Sequence, residues 1–249
     1  MQVQFLGVGE AFDNTLPNNS HLLTSPSVNI LLDCGYSVPQ QWFGLAKDAD
    51  FLDAIWISHQ HADHFFGLPI VLMRLWEEGR TKPLTVFCEK ERLEFFKGFL
   101  EMAYPGFSQK FNYQINFMGV QSQQTVKFNG SELSFASMVH SISVLAIKIS
   151  DGVHAYCYSG DGQFTDEAVA LYKNCDLVIQ ETYLYDKKIF GHACITDAIS
   201  MAEENNVTCL ALTHLQRDFR KNDLPGLRGN IKSDKVKILV PEPHDEYQL

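Results

Sequence analysis

The stretch "ISHQHADHFFGLP", residues 57–69, places His59, His61, Asp63 and His64 within six positions of a chain that has only 9 histidines in 249 residues. All four side chains bind hard or borderline metal ions. The segment follows "LDAIWIS" (52–58), an apolar run that reads as a buried strand. Ligands on a loop held by a rigid strand end can converge, because successive side chains fan to both sides of a tight turn. A lone histidine at a strand end is ordinarily a satisfied polar residue. Three with an aspartate in six positions point instead to a metal centre. Neutral imidazoles with a carboxylate suit zinc, iron or manganese rather than calcium.

One such cluster cannot saturate two ions, so further ligands are expected at other strand ends. His140 ends "ELSFASMVH" (132–140), Asp161 ends "HAYCYSGD" (154–161) and His214 ends "CLALTH" (209–214). An aspartate in "SGDG", taken alone, is a turn residue. The repeated arrangement makes these three a set: an apolar strand, then a metal-type side chain at its carboxyl end, where open α/β sheets build their sites.

The rest of the chain frames that centre. The composition is 45% hydrophobic, 20% charged and 12% aromatic, as in ordinary globular proteins. No apolar run is long enough to span a bilayer, and "MQVQFLGVGE" lacks the basic and apolar regions of a signal peptide. A cytoplasmic protein without membrane association is therefore expected. Six scattered cysteines without a CxxC pair read as reduced, buried thiols. The net charge of −10 argues against coating nucleic acid through surface Lys and Arg.

Strands are expected at 2–8 and on both sides of Ser25-Pro26, and a short helix over 41–49. "GLPIVLMRLWEEG" (67–79) and "KERLEFFKGFLEMAY" (90–104) read as helices, the first stopped by Gly79. A strand-rich stretch follows, with a hairpin at Asn129-Gly130. After Asp161 helix and strand alternate: a helix N-capped by Thr165, another beginning at Thr196, and "KVKILVPE" (235–242) as the last strand. The acidic end "PEPHDEYQL" reads as solvated. His21, His154 and His244 read as ordinary residues. Strands first, then alternation, in both halves, suggests two sheets inside helices in four layers.

The pattern HxHxDH at His59, His61, Asp63 and His64, followed by His140, Asp161 and His214, resembles the metallo-β-lactamase superfamily. "FLGVGEAF" (5–12), "LLDCG" (31–35), "SGDG" (159–162) and "LTHL" (212–215) bring the chain nearest to its ribonuclease Z-like phosphodiesterases. That resemblance implies one α/β domain over 1–249, a four-layer αββα sandwich of two mixed β-sheets flanked by helices. It also implies two divalent ions, zinc first, with manganese or iron as alternatives. One ion is assigned to His59, His61 and His140, the other to Asp63, His64 and His214, with Asp161 as the bridge. The catalytic set it implies is Asp63, Glu181 and His192. A metal-bridging hydroxide would attack, and a Glu181–His192 pair would protonate the leaving group. The family follows Gly-His with Ser or Thr, whereas here Ala193 follows Gly191-His192.

Long-form ribonuclease Z enzymes carry an inserted arm that grips tRNA, often between the third histidine and the bridging aspartate. Residues 141–160 hold one strand pair and no glycine- and basic-rich arm. The expected substrate is thus a small or nucleotide-like phosphodiester. A tRNA 3′-end endonuclease is the alternative, as is a lactone, thioester or lactam hydrolase on the same centre. A non-enzymatic iron redox role ranks lowest, since its relatives have Glu where this chain has His61. The basic run at 217–235 either rims the pocket or is a solvated face. The apolar segment after the motif reads as core, and the fold also allows a homodimer.

Overall fold

The computed structural model describes residues 1–249. Two seven-stranded sheets form its centre. The first has the order β14-β1-β2-β3-β4-β5-β6, built from β1 (Gln2–Gly7), β2 (Ser20–Thr24), β3 (Asn29–Leu32), β4 (Ala54–Trp56), β5 (Leu84–Glu89), β6 (Ile115–Val120) and β14 (Glu246–Gln248). The second has the order β13-β12-β11-β10-β9-β8-β7. Its strands are β7 (Thr125–Phe128), β8 (Ser131–Met138), β9 (Val144–Ser150), β10 (Ala155–Tyr158), β11 (Leu177–Glu181), β12 (Cys209–Thr213) and β13 (Lys237–Leu239). Both sheets are mixed. In the first, β3 to β6 run parallel and β14 to β3 antiparallel. In the second, β10 to β13 run parallel and β7 to β10 antiparallel.

Helices cover the outer faces: α1 (Val38–Gly44), α2 (Ala62–Phe65), α3 (Leu68–Glu77) and α4 (Leu93–Ala103) on the first sheet, and α5 (Asp166–Tyr172), α6 (Ile195–Glu204) and α7 (Leu224–Leu227) on the second. Three separate apolar layers follow from this stacking. The central one joins the two sheets, with Trp56 from one and Phe135 from the other at 5.0 Å between rings. The outer two seat the helices. Four structural layers enclosing three apolar ones is the αββα sandwich. Burying a large apolar side chain stabilises the fold by about 1.5–3 kcal/mol, and β4, with all three residues fully buried, sits at the heart of it.

Local chemistry accounts for the elements. Asn129 and Gly130, at φ +47° and +82°, make the tight β7–β8 turn. Gly79, at φ +80°, ends α3. Thr165 caps α5, its Oγ1 accepting from Ala168 N at 3.0 Å. All six cysteines are buried and free. The apolar segment after the motif is mainly core, with Leu68, Val71, Leu72 and Leu75 buried, although Phe66 and Ile70 are exposed.

Several expected boundaries shift. The helix placed at 41–49 is α1, which begins earlier because Pro39 pre-sets its first turn. The 90–104 helix opens with a 3-10 turn at Lys90–Arg92. α6 starts at Ile195 with Cys194 before it, so Thr196 lies inside the helix. Asp63 and His64 lie on the short helix α2 rather than on a loop. The acidic end is not simply solvated: Glu246–Gln248 pair antiparallel with β1, and Leu249 N donates to Met1 O. Its alternation is too short and too polar to read as a strand; β1 supplies the partner. No helix is long and apolar enough to cross a membrane.

Candidate metal centre

The sheets place the site residues at one edge. β4 delivers Ser58 and His59 just beyond its carboxyl end, and α2 carries Asp63 and His64 back across it. The "LLDCG" loop locks that turn: Cys34 N donates to His64 O at 2.7 Å and Gly67 N to Cys34 O at 2.8 Å. Gly35 is needed here, because a Cβ would collide with the Asp63 carbonyl. On the second sheet the parallel register pairs Glu181 with Thr213, so Glu181 and His214 emerge side by side. A backbone bond from His214 N to Val8 O, 2.9 Å, ties the two sheet edges together. His214 itself has φ +57°, a strained conformation that non-glycine residues adopt mainly where a site demands it.

All nine predicted side chains meet at this edge. His59, His61 and His140 form one group whose ligand-type atoms lie within 4.8 Å of one another; Asp63, His64, Asp161 and His214 form a second; Glu181, His192 and His214 form a third. In the first, His61 Nδ1 is 3.0 Å from His59 Nε2 and 3.2 Å from His140 Nε2. In the second, His64 Nε2 is 3.1 Å from Asp63 Oδ2 and 3.3 Å from Asp161 Oδ1. Asp161 Oδ2 reaches to 3.5 Å from His214 Nε2 and 4.0 Å from His59 Nε2, between the two groups.

These donors suit a divalent cation. His64 Nε2 and Asp161 Oδ1 are buried without a hydrogen-bond partner, though they face each other. Unpaired buried polar atoms are costly, and a cation at their convergence would satisfy both. The chain also orients its imidazoles from behind. Buried Asp33 accepts from Ser58 N, Ser58 Oγ, His64 Nδ1 and Tyr158 OH at 2.6–2.7 Å. Ser58 Oγ also meets His59 Nδ1 at 3.0 Å, and the Gly191 carbonyl meets His140 Nδ1 at 2.6 Å.

The electrostatics follow from burial and crowding. Burial opposes charge on His64, yet Asp161, Asp63 and Asp33 hold its pKa well above the usual value. His214 likewise overcomes burial, through Asp161 and Asp63, and rises to about 9. Burial would raise Asp63 and Asp161, but the neighbouring histidines hold both carboxyls below the ordinary range. His59 is pushed well down, by burial first and by His64 second. Beside this centre His192 Nδ1 lies 2.7 Å from Glu181 Oε1. Burial disfavours the imidazolium, but the bond to Glu181 raises its pKa. Glu181 is itself raised, by burial more than the His192 bond can offset. Both shifts favour the protonated form of the pair.

The cleft above these groups has a volume of about 450 Å³ and is lined also by Glu10, Phe12, Tyr36 and Tyr183. No lysine or arginine lines it. Of the basic run, Arg217 reaches the rim, pairing with the lining Glu10 at 2.7 Å, whereas Arg220 pairs with Glu242 at 2.9 Å. His244 meets Gln41 and His154 faces Asp176, both away from the cluster. Asp33 and the lining aromatics were not singled out from sequence. Asp33 carried the same signal as Asp161, a metal-type side chain ending an apolar strand. Phe12 and Tyr36 lie in turn-rich segments that carry no such signal.

Fold and site together define a metal-dependent hydrolase of the metallo-β-lactamase superfamily, in its ribonuclease Z-like branch. Sequence comparison finds 27% identity to the probable metallo-hydrolase YhfI of Bacillus subtilis, covering 79% of this chain and 79% of that protein. A ribonuclease Z of Methanococcus maripaludis is 24% identical, covering 100% of this chain and 98% of its own. The crystal structure of YhfI superposes with a TM-score of 0.80 at 23% identity, over 99% of this chain and 98% of that one. The short form of human tRNase Z gives 0.80 at 20% identity, over 100% and 99%. The family model described as "Anti-Pycsar protein Apyc1" matches residues 1–232, and the chain belongs to that family.

Proposed function

We propose that this protein is a two-metal phosphodiesterase acting on a small or nucleotide-like phosphodiester. One ion would be held by His59, His61 and His140 and a second by Asp63, His64 and His214, with Asp161 shared; zinc suits this donor set best. When bound, the ions supply Lewis acidity toward a phosphoryl oxygen and lower the pKa of a coordinated water. Asp63 and Asp161 keep their carboxylates ionised beside that position. His192, held protonated by Glu181, donates its proton to the departing oxygen. Tyr183 stacks on the His192 ring at 4.6 Å and restricts its swing.

The observation that carries this reading is the 2.7 Å His192–Glu181 contact, with Glu181 buried and His192 in the cleft wall. A leaving alkoxide requires an acid there. A small substrate is favoured by the cleft volume, which lies in the range of small-molecule sites, and by the lack of Lys or Arg along its wall. With a net charge of −10, long nucleic acid has little to hold. The names of the ribonuclease Z relatives favour a tRNA 3′-end endonuclease as the second reading. The exposed apolar side chains Phe66, just after α2, Ile70 on α3, and Phe95 and Met102 on α4 favour a homodimer. The test is parallel turnover of bis-p-nitrophenyl phosphate, a lactone, a thioester and a tRNA precursor by metal-loaded protein. The diester should be cleaved fastest; turnover of the acyl substrates alone would remove the reading.

A further inference from the structure

We propose that Phe12 determines specificity at this site by stacking on a planar aromatic group, such as a nucleobase, that the substrate carries beside its phosphate. The inference rests on the phosphodiesterase reading and names the chemistry of the part that does not react.

Phe12 is 76% exposed, in a chain that buries most of its large apolar side chains. A single exposed phenylalanine means little by itself. This one is presented by a loop pinned on both sides. Phe12 N donates to Glu10 Oε2 at 2.9 Å, and Glu10, only 2% exposed, is held in turn by Arg217 at 2.7 Å. The preceding carbonyl, of Ala11, accepts from Tyr36 OH at 2.7 Å. On the far side Asp13 Oδ1 accepts from Thr15 N and Leu16 N at 2.8 and 2.9 Å. The backbone that carries the ring is therefore fixed at the cleft, so a ligand that covers Phe12 need not order the loop. It lines the same cleft as Asp63, Asp161 and His192.

Chemistry narrows what covers it. Away from the His/Asp groups the wall offers Ala11, Phe12, Tyr36, Ala62 and Tyr183, with Ser141 and a Glu10 already paired to Arg217 as its polar groups, and no lysine or arginine. Such a surface takes a flat, weakly charged ring in preference to a second phosphate or a sugar alone. Stacking is tolerant of base identity, because every base has a π-face.

The experiment compares two esters that break the same bond to the same leaving group: the p-nitrophenyl ester of thymidine 5′-monophosphate and methyl p-nitrophenyl phosphate. Only the first carries a base. The readout is the ratio of kcat/KM for the first over the second. In Phe12→Ala that ratio should fall about 5- to 150-fold, mainly through KM on the nucleoside ester. Phe12→Trp should restore it, whereas Phe12→Leu, which keeps bulk without a π-face, should not. An unchanged ratio in Phe12→Ala overturns the inference and leaves the phosphodiesterase reading standing. Wild-type protein that cleaves neither ester removes that reading and the inference with it.

Discussion

Asp33 Oδ2 lies 2.7 Å from His64 Nδ1, with both side chains fully buried, so the imidazole is held from the side opposite its Nε2, the nitrogen that faces Asp63 and Asp161. The same oxygen takes Tyr158 OH and Ser58 Oγ, and Ser58 passes the constraint to His59. One carboxylate thereby orients a histidine of each proposed metal site. Asp33→Asn keeps the size of the side chain and tolerates the φ of +58°. It should weaken divalent-ion affinity about 10- to 100-fold while leaving far-UV circular dichroism unchanged. Metal titration checks this; wild-type affinity would show the network to be only packing.

His192→Ala should retain the wild-type metal content and lose turnover by about 10²–10⁴-fold on diesters with alkyl leaving groups. The loss should be smaller for p-nitrophenyl esters, whose leaving group departs without a proton. An equal loss on both classes would place His192 in binding rather than proton transfer.

Much of this was legible in the chain and some was not. His59, His140, Asp161 and His214 each follow the end of an apolar strand, so the strand pattern announced where the metal-type side chains would gather, while His61, Asp63 and His64 came with the clustered motif itself. The αββα layering followed from two halves that each run from strands into helix–strand alternation. Elements set by partners far along the chain were less visible. Glu246–Gln248 form a strand only because β1 offers an edge. The start of α2 at Ala62 depends on Cys34 N holding the His64 carbonyl, a contact between residues thirty positions apart. Phe12 belongs to the cleft because Glu10, Arg217 and Tyr36 hold its loop there.

The end strand gives a stability prediction. Removing residues 244–249 takes away the β14–β1 pairing and the His244 N to Phe5 O bond, and opens the β1 edge. Each kcal/mol lost should lower Tm by about 2–4 °C. The shortened chain should melt earlier and aggregate more readily, with diester turnover per folded molecule retained. An unchanged melting curve would mean the pairing contributes nothing.

His21 gives a pH prediction. It is fully buried, neither ring nitrogen has a hydrogen-bond partner, and it sits edge-on to Phe5 and Tyr158. Burial first, and His64 second, pull its pKa down to about 3 from 6.5. The folded state holds it neutral while the unfolded chain protonates it below pH 6.5. Its contribution is therefore complete above 6.5 and declines as pH falls toward 3, by about 1.4 kcal/mol per pH unit. In His21→Leu, denaturant unfolding should show a shallower loss of stability between pH 6.5 and 5 than wild type. Identical slopes would contradict the assignment.

The central claim is that two ions, bound by the His/Asp groups at the sheet edges, carry phosphodiester cleavage. It is tested most directly by adding zinc stepwise to chelator-treated protein and measuring bis-p-nitrophenyl phosphate hydrolysis against zinc bound per chain. The rate should rise to a plateau at two equivalents. A plateau at one equivalent, or no diester hydrolysis at any loading while lactone or thioester is turned over, would contradict it.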